Sequence, residues 1–113
     1  MPPHTPLYSL REVQDLAKAG RIVFSPKAEE KYQEYGFTSV SVAECIAWIT
    51  PDEFRSRQCY PNDPQVWWDD YVCSVRCPDG VDRTLYIKLR IRALTVQQVL
   101  VTSFHTQRLL PND

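Results

Sequence analysis

Three observations predict an α+β chain in which N-terminal helices pack on a C-terminal antiparallel β-sheet. Helix-starting signals crowd the first half: Ser9 with Glu12, Ser25 with Pro26, Ser41 with Glu44, and Thr50 with Glu53. The second half changes period. There Leu85, Ile87, Leu89 and Ile91 alternate with Tyr86, Lys88, Arg90 and Arg92, the two-residue repeat of a strand with one buried face. Finally, Pro78-Asp79-Gly80 is a turn in which Asp-Gly supplies the positive φ that a tight hairpin needs. Helices first and a meander of strands afterwards is the α+β order.

The elements follow in chain order. Ser9-Leu-Arg-Glu12 is a capping box, in which the Ser hydroxyl and the Glu carboxylate satisfy orphan backbone N–H groups reciprocally. Leu10, Val13, Leu16 and Ala17 then share a face, and Gly20 supplies the stop. Arg21 to Phe24 is a short strand. Ser25-Pro26 opens a second helix, with Pro where its missing N–H costs nothing, and Gly36 ends it. Ser41-Val-Ala-Glu44 is read as the box that starts a third helix. Thr50-Pro-Asp-Glu53 is read as a short turn ending near Arg57, where a helix dipole would favour Arg55 and Arg57. After a loop from Tyr60 to Pro64, strands are expected over Val66 to Cys77, Arg83 to Arg92 and about Val96 to Thr106. Leu109 to Asp113 reads as a tail.

A length of 113 residues, 43% of them hydrophobic and 24% charged, is expected to form one globular domain, 1–113. No apolar run is long enough to span a membrane, and Met1 to Leu10 lacks the basic and apolar regions of a secretory signal. The expected address is therefore the cytoplasm. Cys45, Cys59, Cys73 and Cys77 are then most simply free thiols. No metal site is expected, because Cys73 and Cys77 have no second close pair and His4 and His105 stand at opposite ends. Three glycines and no phosphate-cradling glycine string exclude the usual nucleotide cofactor loops. No small-molecule cofactor is expected. A formal charge of −1 leaves nucleic acid open as a partner, since a basic face matters more than the sum.

Such a face exists on paper. Tyr86, Lys88, Arg90 and Arg92 recur at roughly 6.6–6.8 Å along one strand face, on the scale of successive phosphates. Like charges so arranged ask for acidic neighbours, and Asp69 or Asp70 on the preceding strand are the candidates. Of the adjacent Trp67 and Trp68, one faces away from the core and can stack on a base. His105 titrates near neutrality in its unperturbed state, which suits proton transfer.

Several strings, in order, resemble the MqsR family, the motility quorum-sensing regulator toxins of bacterial type II toxin–antitoxin systems. They are Pro6-Leu-Tyr-Ser-Leu-Arg-Glu-Val-Gln-Asp-Leu, Asp52-Glu-Phe54, Val66-Trp-Trp-Asp-Asp-Tyr71, Leu85-Tyr-Ile-Lys-Leu89 and Val101-Thr-Ser-Phe104. The likeness runs from about Tyr8 to His105. It implies a RelE-like fold and an endoribonuclease (mRNA interferase) that needs no metal. It also implies two partners, single-stranded mRNA and a cognate antitoxin.

The family's catalytic Tyr matches Tyr86. Its Lys in Asp-Phe-Tyr-Lys-Ser falls on Ser56, between Arg55 and Arg57, which are candidates to replace the charge. Its Gln in Trp-Gln-Asp-Val-Tyr falls on Trp68, and its terminal Ser-Phe-Lys becomes Ser103-Phe-His105. The expected catalytic set is Tyr86, His105, Arg55 and Arg57. Ser56, Trp68, Lys88, Arg90 and Arg92 are expected to hold RNA. The changes at Ser56 and Trp68 leave two readings open, a cleaving enzyme and a binding module on the same fold.

Overall fold

A computed structural model describes residues 5–93 and 95–106; His4 and the tail from Leu109 lie outside them. Helix α1 spans Leu10–Lys18, and its N-cap Ser9 accepts from the Glu12 N–H. Strand β1, Ile22–Phe24, follows. Helix α2, Pro26–Glu34, starts with Pro in its first turn and Ser25 accepting from the Ala28 N–H. Gly36 closes it at φ +90°. Helix α3 is Ser39–Ala47, one turn earlier than the Ser41–Glu44 signal predicts. The physical reason is a different box. The Thr38 hydroxyl accepts from the Ser41 N–H at 3.2 Å, and the Ser41 hydroxyl accepts from the Thr38 N–H at 2.8 Å. Ser41 thus plays the third-residue role that a Glu usually plays.

The Thr50 signal produces only a 3-10 turn, Pro51–Glu53, with the Glu53 carboxylate accepting from the Thr50 N–H at 2.8 Å. The chain extends straight into β2, Phe54–Tyr60. Arg55 and Arg57 therefore lie in a strand and not at a helix end. Strands β3, Asp63–Arg76, β4, Asp82–Ala93, and β5, Gln97–Thr106, complete one sheet in the order β1-β5-β4-β3-β2. Strands β3 to β5 pair antiparallel, as expected, and β2, which stands where a helical turn was expected, pairs antiparallel with β3. The short β1 pairs parallel to β5, Ile22 beside Val99, so the sheet is mixed.

All three helices cover one face. Val13 and Ala17, Ala28 and Tyr32, and Val42 and Ile46 pack with Leu85, Ile87, Leu89, Val99, Val101 and Phe104 into one buried cluster. Each large side chain there contributes about 1.5–3 kcal/mol by leaving water. Phe104 is the hub of the α2 side, with the Phe37 ring edge-on at 5.2 Å. Gln14 of α1 ties in α3. Its Nε2 points at the carbonyls of Ile46, Ala47 and Ile49 at 2.9–3.2 Å, acceptors that a helix end leaves unsatisfied. Among the described residues, the opposite face of the sheet carries no helix.

Candidate active site

Strand alternation sends Leu85, Ile87 and Leu89 into the core and turns Tyr86, Lys88, Arg90 and Arg92 to the open face. Two bulges decide what joins them. In β5, Lys88 pairs with Ser103 but Leu89 pairs with Val101, so Thr102 is an extra residue. Val99, Val101 and Phe104 can then all be buried while Ser103 and His105 face outward. In β2, Phe54 pairs with Tyr71 but Ser56 pairs with Asp70, so Arg55 is the extra residue. Phe54 remains against Tyr71 in the core, and Ser56 and Gln58 cross to the open face. Bulges re-aim side chains in this way without breaking the sheet.

The result is a stacked pair. Tyr86 and His105 occupy paired positions, their rings 5.3 Å apart and 20° from parallel. His105 Nδ1 lies 2.8 Å from the Thr106 carbonyl. A carbonyl only accepts, so Nδ1 carries a hydrogen, and Nε2 is the ring nitrogen left to exchange a proton. A small pocket of about 120 Å³ beside His105 is lined by Lys27, Lys31 and Ser103. On the other side, Tyr86 Oη accepts from Gln58 Nε2 at 3.1 Å. Burial pushes the Tyr86 phenol above its ordinary range, and the Asp70 carboxylate adds to the rise. The phenol therefore keeps its proton at neutral pH.

Asp70 forms the floor of the site. It is 1% exposed and pairs across from Lys88. Its Oδ2 accepts from the Ser56 hydroxyl at 3.3 Å and from Gln58 Nε2. Lys88 donates to Tyr60 Oη at 2.7 Å. Arg90 lies over Trp68 at 5.3 Å, and Arg92 donates to Gln98 at 3.4 Å. Trp68 faces the open side as expected, yet only 8% of it is exposed. The surface available for stacking is therefore the outer plane of Arg90.

Tyr86, His105, Ser56, Trp68, Lys88, Arg90 and Arg92 thus share one face. Arg57 does not join them. It pairs with Asp69 and lies over Trp67 at 5.8 Å, on the side that bears the helices. Arg55 is exposed at the bulge of the edge strand. Asp69 also belongs to the helix side, where its two oxygens accept from the N–H groups of Leu7 and Tyr8 at 3.0 and 2.8 Å. Of the two acidic candidates, only Asp70 shares the face of the cations, across from Lys88. Sequence reading did not single out Gln58, Tyr60, Lys27 or Lys31. Gln58 and Tyr60 follow Ser56 at two-residue spacing, which was a usable signal once the bulge is known.

A larger cavity, about 610 Å³, lies elsewhere, between α1 and α3, lined by Ala17, Val40, Ala43 and Trp48. It is mainly apolar, and Tyr86 and His105 are on the opposite side of the sheet. Among the described residues, no three His, Cys, Asp or Glu side chains are grouped to hold a metal ion, and no helix is long and apolar enough to cross a membrane. All four cysteines are free thiols. A family model described as the motility quorum-sensing regulator, toxin of MqsA, matches residues 5–106. No curated protein matches the chain.

Proposed function

The chain belongs to the family of motility quorum-sensing regulators that are toxins of MqsA, and from that premise we propose that it is an endoribonuclease that cuts single-stranded mRNA without a metal. As a member it is a toxin of a toxin–antitoxin system, with a cognate antitoxin protein as its partner. The cleavage chemistry is our reading of the open face. It acts in the cytoplasm, where its substrate is.

The observation that carries the reading is the His105–Tyr86 stack, rings 5.3 Å apart, beside the row of Lys88, Arg90 and Arg92. His105 Nε2 removes the proton from a ribose 2′-OH. The 2′-oxygen then bonds to the adjacent phosphorus, and the P–O5′ bond breaks. Tyr86 gives its proton to the departing O5′, whose conjugate acid is far weaker than a phenol, and regains one from solvent. The products are a 2′,3′-cyclic phosphate and a 5′-OH. Lys88 and Arg90 hold the charge that builds on the phosphoryl oxygens, the largest contribution such a site can make. A base rests on the guanidinium plane of Arg90, backed by Trp68.

The test is incubation of the purified protein with a long unstructured RNA in EDTA, followed by mapping of the ends. Discrete cuts bearing cyclic-phosphate and 5′-OH ends, slowed about a hundredfold or more in Tyr86→Phe and His105→Ala, are expected. RNA that is bound but left whole, with and without ribosomes, would replace this reading with that of a binding module.

A further inference from the structure

The hydrogen bonds beneath Tyr86 have a direction, and Asp70 is the group that sets it. A carboxylate can only accept. Gln58 must therefore turn its NH2 end, not its carbonyl, toward Asp70 Oδ2. The same nitrogen is 3.1 Å from Tyr86 Oη, so the phenol oxygen receives a hydrogen from within the sheet. Its own hydrogen has two directions open: inward to the Asp70 carboxylate, whose hydrogen bond helps hold the phenol above its ordinary range, and outward, the direction that Gln58 favours by filling the inner side of the oxygen. Ser56 donates to the same carboxylate oxygen at 3.3 Å. The other oxygen, Asp70 Oδ1, is buried and has no partner among the described residues, which makes it a standing competitor for the Tyr86 proton.

We propose that Asp70 and Gln58 are positioning residues that orient the Tyr86 hydroxyl, so that it accepts from inside the sheet and donates outward to the phosphate ester. The proposal rests on the nuclease reading above and adds to it two residues that act through Tyr86. Asp70 alone would harm the site, because it would draw the phenolic proton inward. Gln58 occupies the phenol oxygen from that side and turns the same carboxylate into an orienting group. The charged and titratable groups around Tyr86 are Asp70 on β3, Tyr60 on β2, Lys88 two residues along β4, and His105 on β5. Of these, Asp70 is the carboxylate.

The logic predicts an unusual mutational pattern. Gln58→Met removes the inward donor, so Tyr86 turns its hydrogen to Asp70. The turnover number for RNA cleavage falls about tenfold or more, while KM stays within about threefold. Adding Asp70→Val, of similar size and without an acceptor, recovers about threefold of that loss or more, because the competing acceptor is gone. In a Tyr86→Phe background, Gln58→Met costs less than about twofold. Gln58→Met also takes a donor from the buried Asp70 carboxylate, so rates are compared well below the thermal midpoint of each variant. A structural role would instead make the double variant worse than either single one.

Two outcomes would overturn the proposal: an equal loss from Gln58→Met with and without the Tyr86 hydroxyl, or no recovery on adding Asp70→Val. If the wild-type chain leaves RNA whole, the nuclease reading fails by itself, and a separate measurement still decides the role of Asp70. The ionisation of Tyr86 is followed by phenolate absorbance, as the difference between the protein and its Tyr86→Phe variant. Asp70→Val should lower the pH of that ionisation by about one unit or more. An unmoved titration would show that Asp70 does not act on Tyr86.

Discussion

At His105 the backbone selects which ring nitrogen bears the hydrogen. The Thr106 carbonyl at 2.8 Å fixes the tautomer, as the second partner of a catalytic imidazole usually does. Burial acts in the opposite sense on the cysteines. It is the main cause that pushes Cys45 and Cys73 from an ordinary value of 9 up to about 12. The thiolate is the nucleophile, so these thiols are inert at neutral pH. Alkylation of both by iodoacetamide at pH 8 should be at least about tenfold slower in the native protein than in urea, read by mass spectrometry. Equal rates would mean that neither thiol is desolvated. The linkage has a definite sign. Folding raises both values, so the contribution is whole below pH 9 and is lost as the pH rises toward 12. The urea midpoint of the wild type should fall through that window more than that of Cys73→Ala.

Among the elements, joints matter more than lengths. The α2 end and the β3–β4 turn meet at Gly36. Its φ is +90°, and an added Cβ would stand 3.0 Å from the Asp79 backbone nitrogen. Gly20 has a φ of +78° but open space around it. The pair separates two costs of replacing glycine. Gly20→Ala should lose about 1–2 kcal/mol for the left-handed backbone alone, and Gly36→Ala should lose more, because the contact is with backbone that cannot swing aside. Urea denaturation of both variants checks the order; equal losses would mean that the turn yields. The capping residues and the glycine stops were legible in the sequence because they act within three or four residues of one another. The start of α3 was misread for the same reason, since Thr38 with Ser41 and Ser41 with Glu44 offer the same local chemistry at adjacent turns.

On the scale of the molecule, the sheet divides a helix-covered side from a basic open side, and a formal charge of −1 conceals the division. Binding of single-stranded RNA by the Tyr86→Phe protein should weaken with salt, with a log–log slope of about −0.7 for each phosphate neutralised. Arg90→Gln with Arg92→Gln should flatten that slope by about 1.4. Lys18→Gln, on the helix side, should leave it unchanged. An unaltered slope in the double variant would remove the open face as the RNA surface. The α+β class, the alternation of β4 and the grouping of Tyr86 with Lys88, Arg90 and Arg92 were determined by the sequence itself, because period and capping are short-range properties. Which strand faces His105, Ser56, Arg57 and Asp70 would occupy was decided only by the folded sheet. Counting by twos from Val99 and Val101 would bury His105, and counting from Phe54 would bury Ser56 and turn Arg57 outward. The bulges at Thr102 and Arg55 reverse both counts, because burying Phe104 against Phe37 and Phe54 against Tyr71 outweighs one unpaired residue in each strand.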